Sequence, residues 1–333
     1  NMAKDVGSGE TTYSNYDKQI AEDAKEWILN RKKTDKPWVL FVSFVCPHFP
    51  LIAPEEFYNM YPENEVPWPL LYKDEERSQH PYYKAMRACM NYDDYFDKEK
   101  VKKATSAYFG LCSFLDHNIG TVLSALDNSE FSNDTNILYT SDHGDALGMR
   151  GMWGKSTMFE ESAGVPMIIK GPQIPSSKKL KTPVSLVDIF PTVIDSLKLS
   201  NNKQDDDLPG KSLLEIAKEE DNYERIVLSE YHAAASPVGA FMLRKGKYKY
   251  VYFAEGYSPQ LFNIDEDQYE ENDLALDISY KSMLDNFYNQ LRKICDPEEV
   301  NARAKKEQEE KIEKYGGVEA IMGRGDFGYS PAP

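Results

Sequence analysis

The sequence predicts an α/β protein whose larger first region is followed by a smaller region of antiparallel strands and helices. In the first region, continuously apolar runs stop abruptly at polar residues, as buried strands of an open α/β sheet do. From residue 225 to residue 264, short apolar runs are split by Gly, Lys and Pro turns, which indicates antiparallel strands. The stretch 199–222 contains an acidic run, Asp205-Asp206-Asp207, and is the predicted boundary between the two regions.

The elements of the first region follow from apolar spacing. The predicted elements are a helix at 14–33 with Ser14 as its cap, a strand at 37–45, a helix at 104–128, strands at 137–139 and 165–169, and a helix at 188–197. Residues 51–100 are rich in proline, tyrosine and acidic residues. We interpret them as a long surface excursion that lines a substrate cleft.

The elements of the second region are shorter. The predicted elements are strands at 225–231, 239–244, 248–253 and 260–264, an amphipathic helix at 278–296 and a charged helix at 298–314. The predicted domains are therefore residues 1–222 and 223–315, with an extended tail at 316–333.

The composition excludes two classes of partner. The 333 residues carry a formal net charge of −16, so the chain lacks the basic face that a nucleic acid requires. No apolar run is long enough to span a bilayer, and we expect no membrane partner. The four cysteines are widely spaced and indicate free thiols, which do not fix the compartment. We expect a soluble protein of the bacterial cytoplasm or periplasm type.

Side chains with ligand chemistry follow two predicted strands. Asp142 and His143 come directly after the strand at 137–139, and His48 comes after the strand at 37–45. Ligands in open α/β sheets gather at the carboxyl ends of strands. An adjacent carboxylate and imidazole suit a divalent cation such as calcium, manganese or zinc. In the alternative interpretation, Asp142 caps the next turn and His143 is an ordinary loop residue.

A lysine follows in a glycine-flanked loop. Thr157 and Glu160 form a capping-box pattern, which predicts a helix that begins right after Lys155 and favours an anion at its N-terminus. With His48, Asp142 and His143, this lysine predicts a metal-plus-lysine site for a tetrahedral oxyanion. A solvated surface lysine is the alternative. His232 follows a strand of the second region and is predicted to contact substrate from there, with a structural role as the alternative.

Five motifs follow one another along the chain. They are the apolar run into Pro47-His48-Phe49-Pro50, Thr140-Ser141-Asp142-His143-Gly144-Asp145, Gly154-Lys155 with Phe159-Glu160-Glu161, Val187-Asp188-Ile189-Phe190-Pro191-Thr192, and Gln260-Leu261-Phe262-Asn263-Ile264 with Asn272-Asp273-Leu274. In these motifs the chain resembles the sulfatase family of the alkaline phosphatase superfamily, and their order and spacing agree with the family from residue 14 to about residue 296. Gly325-Asp326-Phe327-Gly328 resembles the choline-sulfatase-like branch.

The resemblance implies a site and a reaction. Asp142 and His143 match two metal ligands, usually for calcium. Lys155 matches the lysine that grips the sulfate group, and His48 matches the histidine that contacts the bridging oxygen. The implied fold is a mixed, mostly parallel sheet flanked by helices, followed by a four-stranded antiparallel sheet with a helix. The implied reaction is hydrolysis of the sulfate ester of a small molecule or a saccharide.

The chain departs from the family at its start. It contains neither the early Asp-Asp metal pair nor the Cys/Ser-x-Pro-x-Arg signature whose first residue becomes formylglycine, the nucleophile. We expect formylglycine in a missing N-terminal portion and an incomplete, inactive chain. Missing strands would expose apolar surface, so we also expect association, for example as a homo-oligomer. Two alternatives are a phosphonate monoester or phosphodiester hydrolase of the same superfamily, and a non-catalytic scaffold that kept the fold.

Overall fold

The computed structural model describes residues 2–34, 36–200 and 202–324. Within these residues the strands are β1 (Val6–Ser8), β2 (Leu51–Ala53), β3 (Ile137–Thr140), β4 (Met167–Lys170), β5 (Ile226–Tyr231), β6 (Ala240–Lys245), β7 (Tyr248–Phe253) and β8 (Gln260–Asn263). The helices are α1 (Thr12–Leu29), α2 (Glu55–Tyr58), α3 (Pro81–Met90), α4 (Lys98–Asp127), α5 (Glu160–Ala163), α6 (Ile189–Ser196), α7 (Leu213–Ile216), α8 (Lys281–Ile294), α9 (Pro297–Lys314) and α10 (Gly317–Met322).

The first region combines helices with two pairs of strands. β1 pairs with β2 in parallel, and β3 pairs with β4 antiparallel. The long helix α4 packs against α1 and against the β1–β2 pair. Buried residues of α4, including Leu111 and Phe114, share a core with Leu51 and Trp153. The predicted mixed α/β class is therefore confirmed.

The predicted strand at 37–45 is wrong. We call residues 36–45 the open segment, because no part of it is a strand and its side chains alternate in exposure. Leu40 packs in a cluster with Ile28, and Trp38 contacts Trp27 edge-on. On the other side Phe41 is 88% exposed. A strand needs a neighbouring strand for its backbone N–H and C=O groups, and the described residues place none beside this segment.

Local capping explains a smaller error in α1. Thr11, rather than Ser14, is the cap, and Ser14 occupies the third helical position. The Ser14 amide donates to the Thr11 hydroxyl, and the Thr11 amide donates to the Ser14 hydroxyl. The two residues thus form a reciprocal capping box.

The predicted surface excursion at 51–100 contains a buried helix. Tyr82, Tyr83 and Met86 of α3 are fully buried and belong to the core under the second sheet. α3 thereby joins the two regions of the molecule.

The second region is a four-stranded antiparallel sheet in the order β5-β6-β7-β8, as predicted. One face packs on α8, where Phe287 and Leu291 meet Phe241 and Tyr250. The other face contributes Phe253 and Phe262 to the core that contains Phe159. The sheet is therefore covered on both faces, and the face that carries Phe253 and Phe262 supports the loop before α5.

The C-terminal tail differs from its prediction. Residues 317–322 form helix α10 instead of an extended segment. Gly325-Asp326-Phe327-Gly328 lies outside the described residues. No helix in the described part of the chain has the length and apolarity that a bilayer crossing requires. The predicted domain limits stay a prediction.

Candidate functional site

Helix α1 fixes the turn that carries His48 through the carboxylate of Asp17. Asp17 is fully buried, and its two carboxylate oxygens accept the amides of Val45 and Cys46 at 2.9 and 2.8 Å. Burial raises the pKa of Asp17, although both amides oppose this shift. Asp17 was missed by sequence reasoning because its role depends on a segment 28 residues away.

His48 has a defined tautomer in this turn. Its Nδ1 lies 2.9 Å from the carbonyl oxygen of Phe49, which only accepts, so Nδ1 carries the proton. Its Nε2 then presents a lone pair, and the ammonium of Lys155 lies 2.7 Å away and donates to it. Residues 107 positions apart therefore meet directly.

The environment of this pair disfavours positive charge on the imidazole. Burial lowers the pKa of His48, and the positive charge of Lys155 lowers it further. Burial also lowers the pKa of Lys155, while Asp142 and Asp145 oppose that shift. Burial therefore disfavours a second positive charge on the pair, and the Nδ1–H tautomer of His48 leaves its Nε2 to accept from Lys155.

Asp142 and His143 lie at the same edge, after β3. The rings of His48 and His143 are 5.8 Å apart, measured between centroids. The His143 Nε2 lies 3.6 Å from Asp142 Oδ2, and the Asp142 side chain is 83% exposed. The structure therefore brings together four of the five predicted residues.

The donor chemistry of this edge fits part of a divalent-cation site. His143 Nδ1 donates to the carbonyl oxygen of Gly144 at 2.8 Å, which leaves its Nε2 lone pair free to bind a metal. The carboxylate of Asp142 supplies a hard oxygen next to it. Within the described residues no cluster of three or more His, Cys, Asp or Glu side chains is placed to hold a metal ion.

A partly buried carboxylate shapes the loop that carries Lys155, residues 144–159, which we call the Lys155 loop. Asp145 accepts the amides of Leu147 and Gly154 at 2.8 and 3.0 Å. Burial raises the pKa of Asp145, against the effect of these hydrogen bonds. Asp145 thereby closes the loop at its base and places Lys155 over His48.

The helix predicted right after Lys155 is wrong. α5 begins at Glu160 and consists of a single turn. The hydroxyl of Ser162 accepts the Thr157 amide at 3.3 Å, which satisfies that group without a helix. The charge of Lys155, without a helix N-terminus beside it, is what this loop offers an anion.

α5 packs directly on the turn after His143. The Gly144 amide donates to the Ser162 carbonyl at 2.9 Å. A Cβ atom at position 144 would lie 2.2 Å from the Glu161 carbonyl oxygen. Glycine is therefore required there by close approach of two backbones.

His232 lies apart from the other predicted residues. Its ring contacts Phe241 edge-on, and both ring nitrogens are buried without a hydrogen-bond partner among the described residues. Tyr231, the residue before it, contacts the Lys155 loop instead, because its hydroxyl donates to the Ser156 hydroxyl at 2.8 Å. Adjacent strand residues point to opposite faces, and this alternation was the signal that could have found Tyr231.

Two family models match the chain. The model described as Sulfatase matches residues 2–199, and the model described as N-sulphoglucosamine sulphohydrolase, C-terminal, matches residues 148–314. The chain belongs to the sulfatase family. The first model covers more than half of the chain and includes His48, Asp142, His143 and Lys155.

A curated relative supports this membership, and two solved structures share the fold. A choline-sulfatase of Rhizobium meliloti is 34% identical over 83% of the chain, and the match covers 55% of that relative's length. A phosphonate monoester hydrolase from Silicibacter pomeroyi is 22% identical with a TM-score of 0.69, covering 82% of this chain and 59% of that one. A structure in complex with its substrate D-glucosamine-2-N,6-O-disulfate is 19% identical with a TM-score of 0.66, covering 84% and 69%. The sulfatase chain described here thus spans about half the length of its curated relative, and the two structures show the fold.

Proposed function

We propose that this chain supplies the lysine, the histidine and two metal ligands of a site that hydrolyses a sulfate ester. The observation that carries the proposal is the 2.7 Å contact between Lys155 Nζ and His48 Nε2. It lies beside the Asp142–His143 pair, and the four residues come from three separate segments. Membership in the sulfatase family supports the reaction class.

The charges of the pair suit a sulfate monoester. The ammonium of Lys155 binds a sulfate oxygen, and it holds the proton that faces His48 Nε2. An ester oxygen that enters between the two groups accepts a hydrogen bond from the Lys155 ammonium. This hydrogen bond stabilises the negative charge that develops on the leaving oxygen as the S–O bond breaks.

The Asp142–His143 pair would hold calcium, with manganese or zinc as alternatives, and a bound cation would supply Lewis-acid polarisation of the sulfate. The 333 residues contain no Cys/Ser-x-Pro-x-Arg signature. We therefore propose the complete reaction for a protein in which a formylglycine-bearing segment joins these residues.

We propose a small-molecule or saccharide sulfate ester as the substrate. The similarity to choline-sulfatase and to a structure holding a glucosamine disulfate supports this class. The phosphonate monoester or phosphodiester hydrolase alternative is supported by a structural likeness at 22% identity, which shows the fold alone. The scaffold alternative is less favoured, because the His48–Lys155 pair is intact.

Side-by-side kinetics test the proposal. The full-length protein is assayed with calcium on the sulfate, phosphate and phenylphosphonate esters of 4-nitrophenol. We expect the sulfate ester to give the highest kcat/KM, and Lys155→Ala to lower it by about 10²- to 10⁴-fold. Lys170→Ala, an exposed lysine of β4, is the matched control and should leave turnover unchanged.

Three results would overturn the proposal. One is preference for the phosphonate or phosphate ester. Another is an unchanged rate in Lys155→Ala. The third is an upstream sequence without the formylglycine signature, which would favour the scaffold.

A further inference from the structure

A buried lysine of the second sheet lies between two carboxylates close to the candidate site. Lys249, on β7, is completely buried, and its ammonium lies 2.9 Å from Glu160 Oε1 and 2.7 Å from Glu270 Oε1. The other carboxylate oxygen of Glu270 accepts the backbone amide of Glu160 at 2.7 Å. We call these three residues the Lys249 triad. The other two members both contact Glu160, the first residue of α5: Lys249 binds its side chain, and Glu270 accepts its backbone amide.

The triad carries charge in a place where charge is costly. Burial alone would raise the pKa of Glu160, but the charge and hydrogen bond of Lys249 outweigh burial and lower it. Burial raises the pKa of Glu270, and Lys249 does not fully offset this. Leaving one member of a buried charged cluster without its partner is strongly unfavourable, so the triad fixes the position of α5 against β7.

From α5 a short chain of hydrogen bonds leads to the predicted metal ligand. The carbonyl of Ser162, in α5, accepts the Gly144 amide at 2.9 Å. The carbonyl of Gly144 in turn accepts the His143 Nδ1 proton at 2.8 Å, which sets the tautomer that leaves Nε2 free. Three contacts and the backbone of α5 thus connect the Lys249 ammonium to the His143 ring, and the last of these contacts orients that ring.

Two further contacts between the same regions reinforce this connection. Arg150, buried in the Lys155 loop, donates to Glu161 of α5 at 2.8 Å and to the backbone carbonyl of Tyr269. Tyr231, the last residue of β5, donates to Ser156 at 2.8 Å. The second sheet therefore contacts both α5 and the residue after Lys155.

We propose that Lys249, Glu160 and Glu270 are positioning residues, through which the second sheet holds His143 and the Lys155 loop in their binding geometry. This inference rests on the proposed function, because the positioned residues are those of the proposed site. It assigns a role to a cluster that touches neither substrate nor metal. It also gives a role to a buried lysine at a position of the sheet where an apolar side chain would pack without a desolvation cost.

The test measures the tautomer of His143 in the 333-residue chain by ¹⁵N NMR of the histidine rings. At about pH 8.5 histidine is neutral, and the tautomer reports the hydrogen bond that each ring makes. We expect Nδ1–H for His143 in the wild-type chain. In Lys249→Met we expect a shift towards the Nε2–H form, with amide exchange of Gly144 about tenfold faster or more.

Two other substitutions make the test specific. Lys247→Met removes a partly exposed lysine of the same hairpin, paired with Glu266 at 3.5 Å, and should change neither readout. Glu160→Gln weakens the triad while Lys249 keeps Glu270, and it should shift both readouts in the same direction by less. It decides the question if Lys249→Met does not fold.

The inference is overturned if His143 is Nε2–H in the wild-type chain. It is also overturned if a folded Lys249→Met or Glu160→Gln chain keeps the wild-type tautomer and Gly144 exchange rate. A calcium titration of the full-length protein keeps this inference distinct from the proposed function. If the variants shift the tautomer while calcium changes no histidine ring resonance of the full-length protein, the positioning role stands and the metal role of His143 fails.

Discussion

Two apolar runs of the chain, the open segment and β7, have opposite outcomes. β7 lies between β6 and β8, and its residues Tyr250, Val251 and Phe253 are almost fully buried. The open segment is also rich in aromatic and β-branched residues, yet Val39 is 54% exposed. The difference teaches that composition sets the tendency to form a strand, whereas neighbouring strands decide whether one forms.

The candidate site lies where these two kinds of structure meet. The Lys155 loop packs on the four-stranded second sheet through α5 and Phe159, and its Ser156 is hydrogen-bonded to Tyr231 of that sheet. His48 follows the open segment and is held by Asp17. We therefore expect the two sides of the site to respond differently to substitution.

The largest expected effect compares one phenylalanine from each side. Phe241→Ala empties a fully buried position in the second sheet and should lower the free energy of unfolding by about 3–5 kcal/mol. Phe41→Ala, in the open segment, should change it by about 0.5 kcal/mol or less. Urea denaturation of both variants measures the difference. Equal losses would mean that Phe41 is buried in solution.

The next effect concerns the anchor of His48. Asp17→Ala leaves the buried amides of Val45 and Cys46 without acceptors and should cost about 2–4 kcal/mol. It should also broaden the His48 ring resonances. Asp23→Ala, an exposed position of α1, is the control. If Asp17→Ala matched that control, another group would be holding the turn.

Exposed apolar side chains of the first region should cause association. Phe41 and Ile168 are both exposed, the latter by 59%. We expect light scattering to show a concentration-dependent mass above the 38.1 kDa of one chain. Phe41→Lys with Ile168→Lys should lower that mass, whereas Leu276→Lys, exposed in the second region, should not. A wild-type chain that stays monomeric would contradict the expectation.

The smallest effect is a pH dependence from His80, a residue of the first region whose ring packs on the second sheet. Burial lowers the pKa of His80, although the Ser258 carbonyl opposes this, and its ring packs on Phe253. A histidine with a lowered pKa favours folding above its unfolded value of about 6.5, and this stability is lost as pH falls below that value. We expect His80→Gln to reduce the loss of stability between about pH 7 and pH 5 by about 1 kcal/mol or less. If the free energy of unfolding falls equally for both chains between about pH 7 and pH 5, folding does not lower the pKa of His80.

The sequence predicted what local patterns determine. The four strands of the second region were placed within one residue at each end, because alternating apolar residues and turn residues mark them. His48, Asp142, His143 and Lys155 were placed at one edge because they follow apolar runs or lie in a glycine-flanked loop. The open segment and α5 were mispredicted because their structure depends on distant backbone. Asp17, Tyr231 and Lys249 gave no motif, since each acts on a residue far along the chain.

The central claim is that His48 and Lys155, which come from distant segments, act on one chemical step. A double-mutant cycle in the full-length protein tests it most directly, with His48→Ala, Lys155→Ala and both together on 4-nitrophenyl sulfate. Groups that act as a unit show strong non-additivity. We predict that the double variant loses about as much kcat/KM as the more damaging single variant. Losses that multiply, as those of independent residues do, would contradict the account.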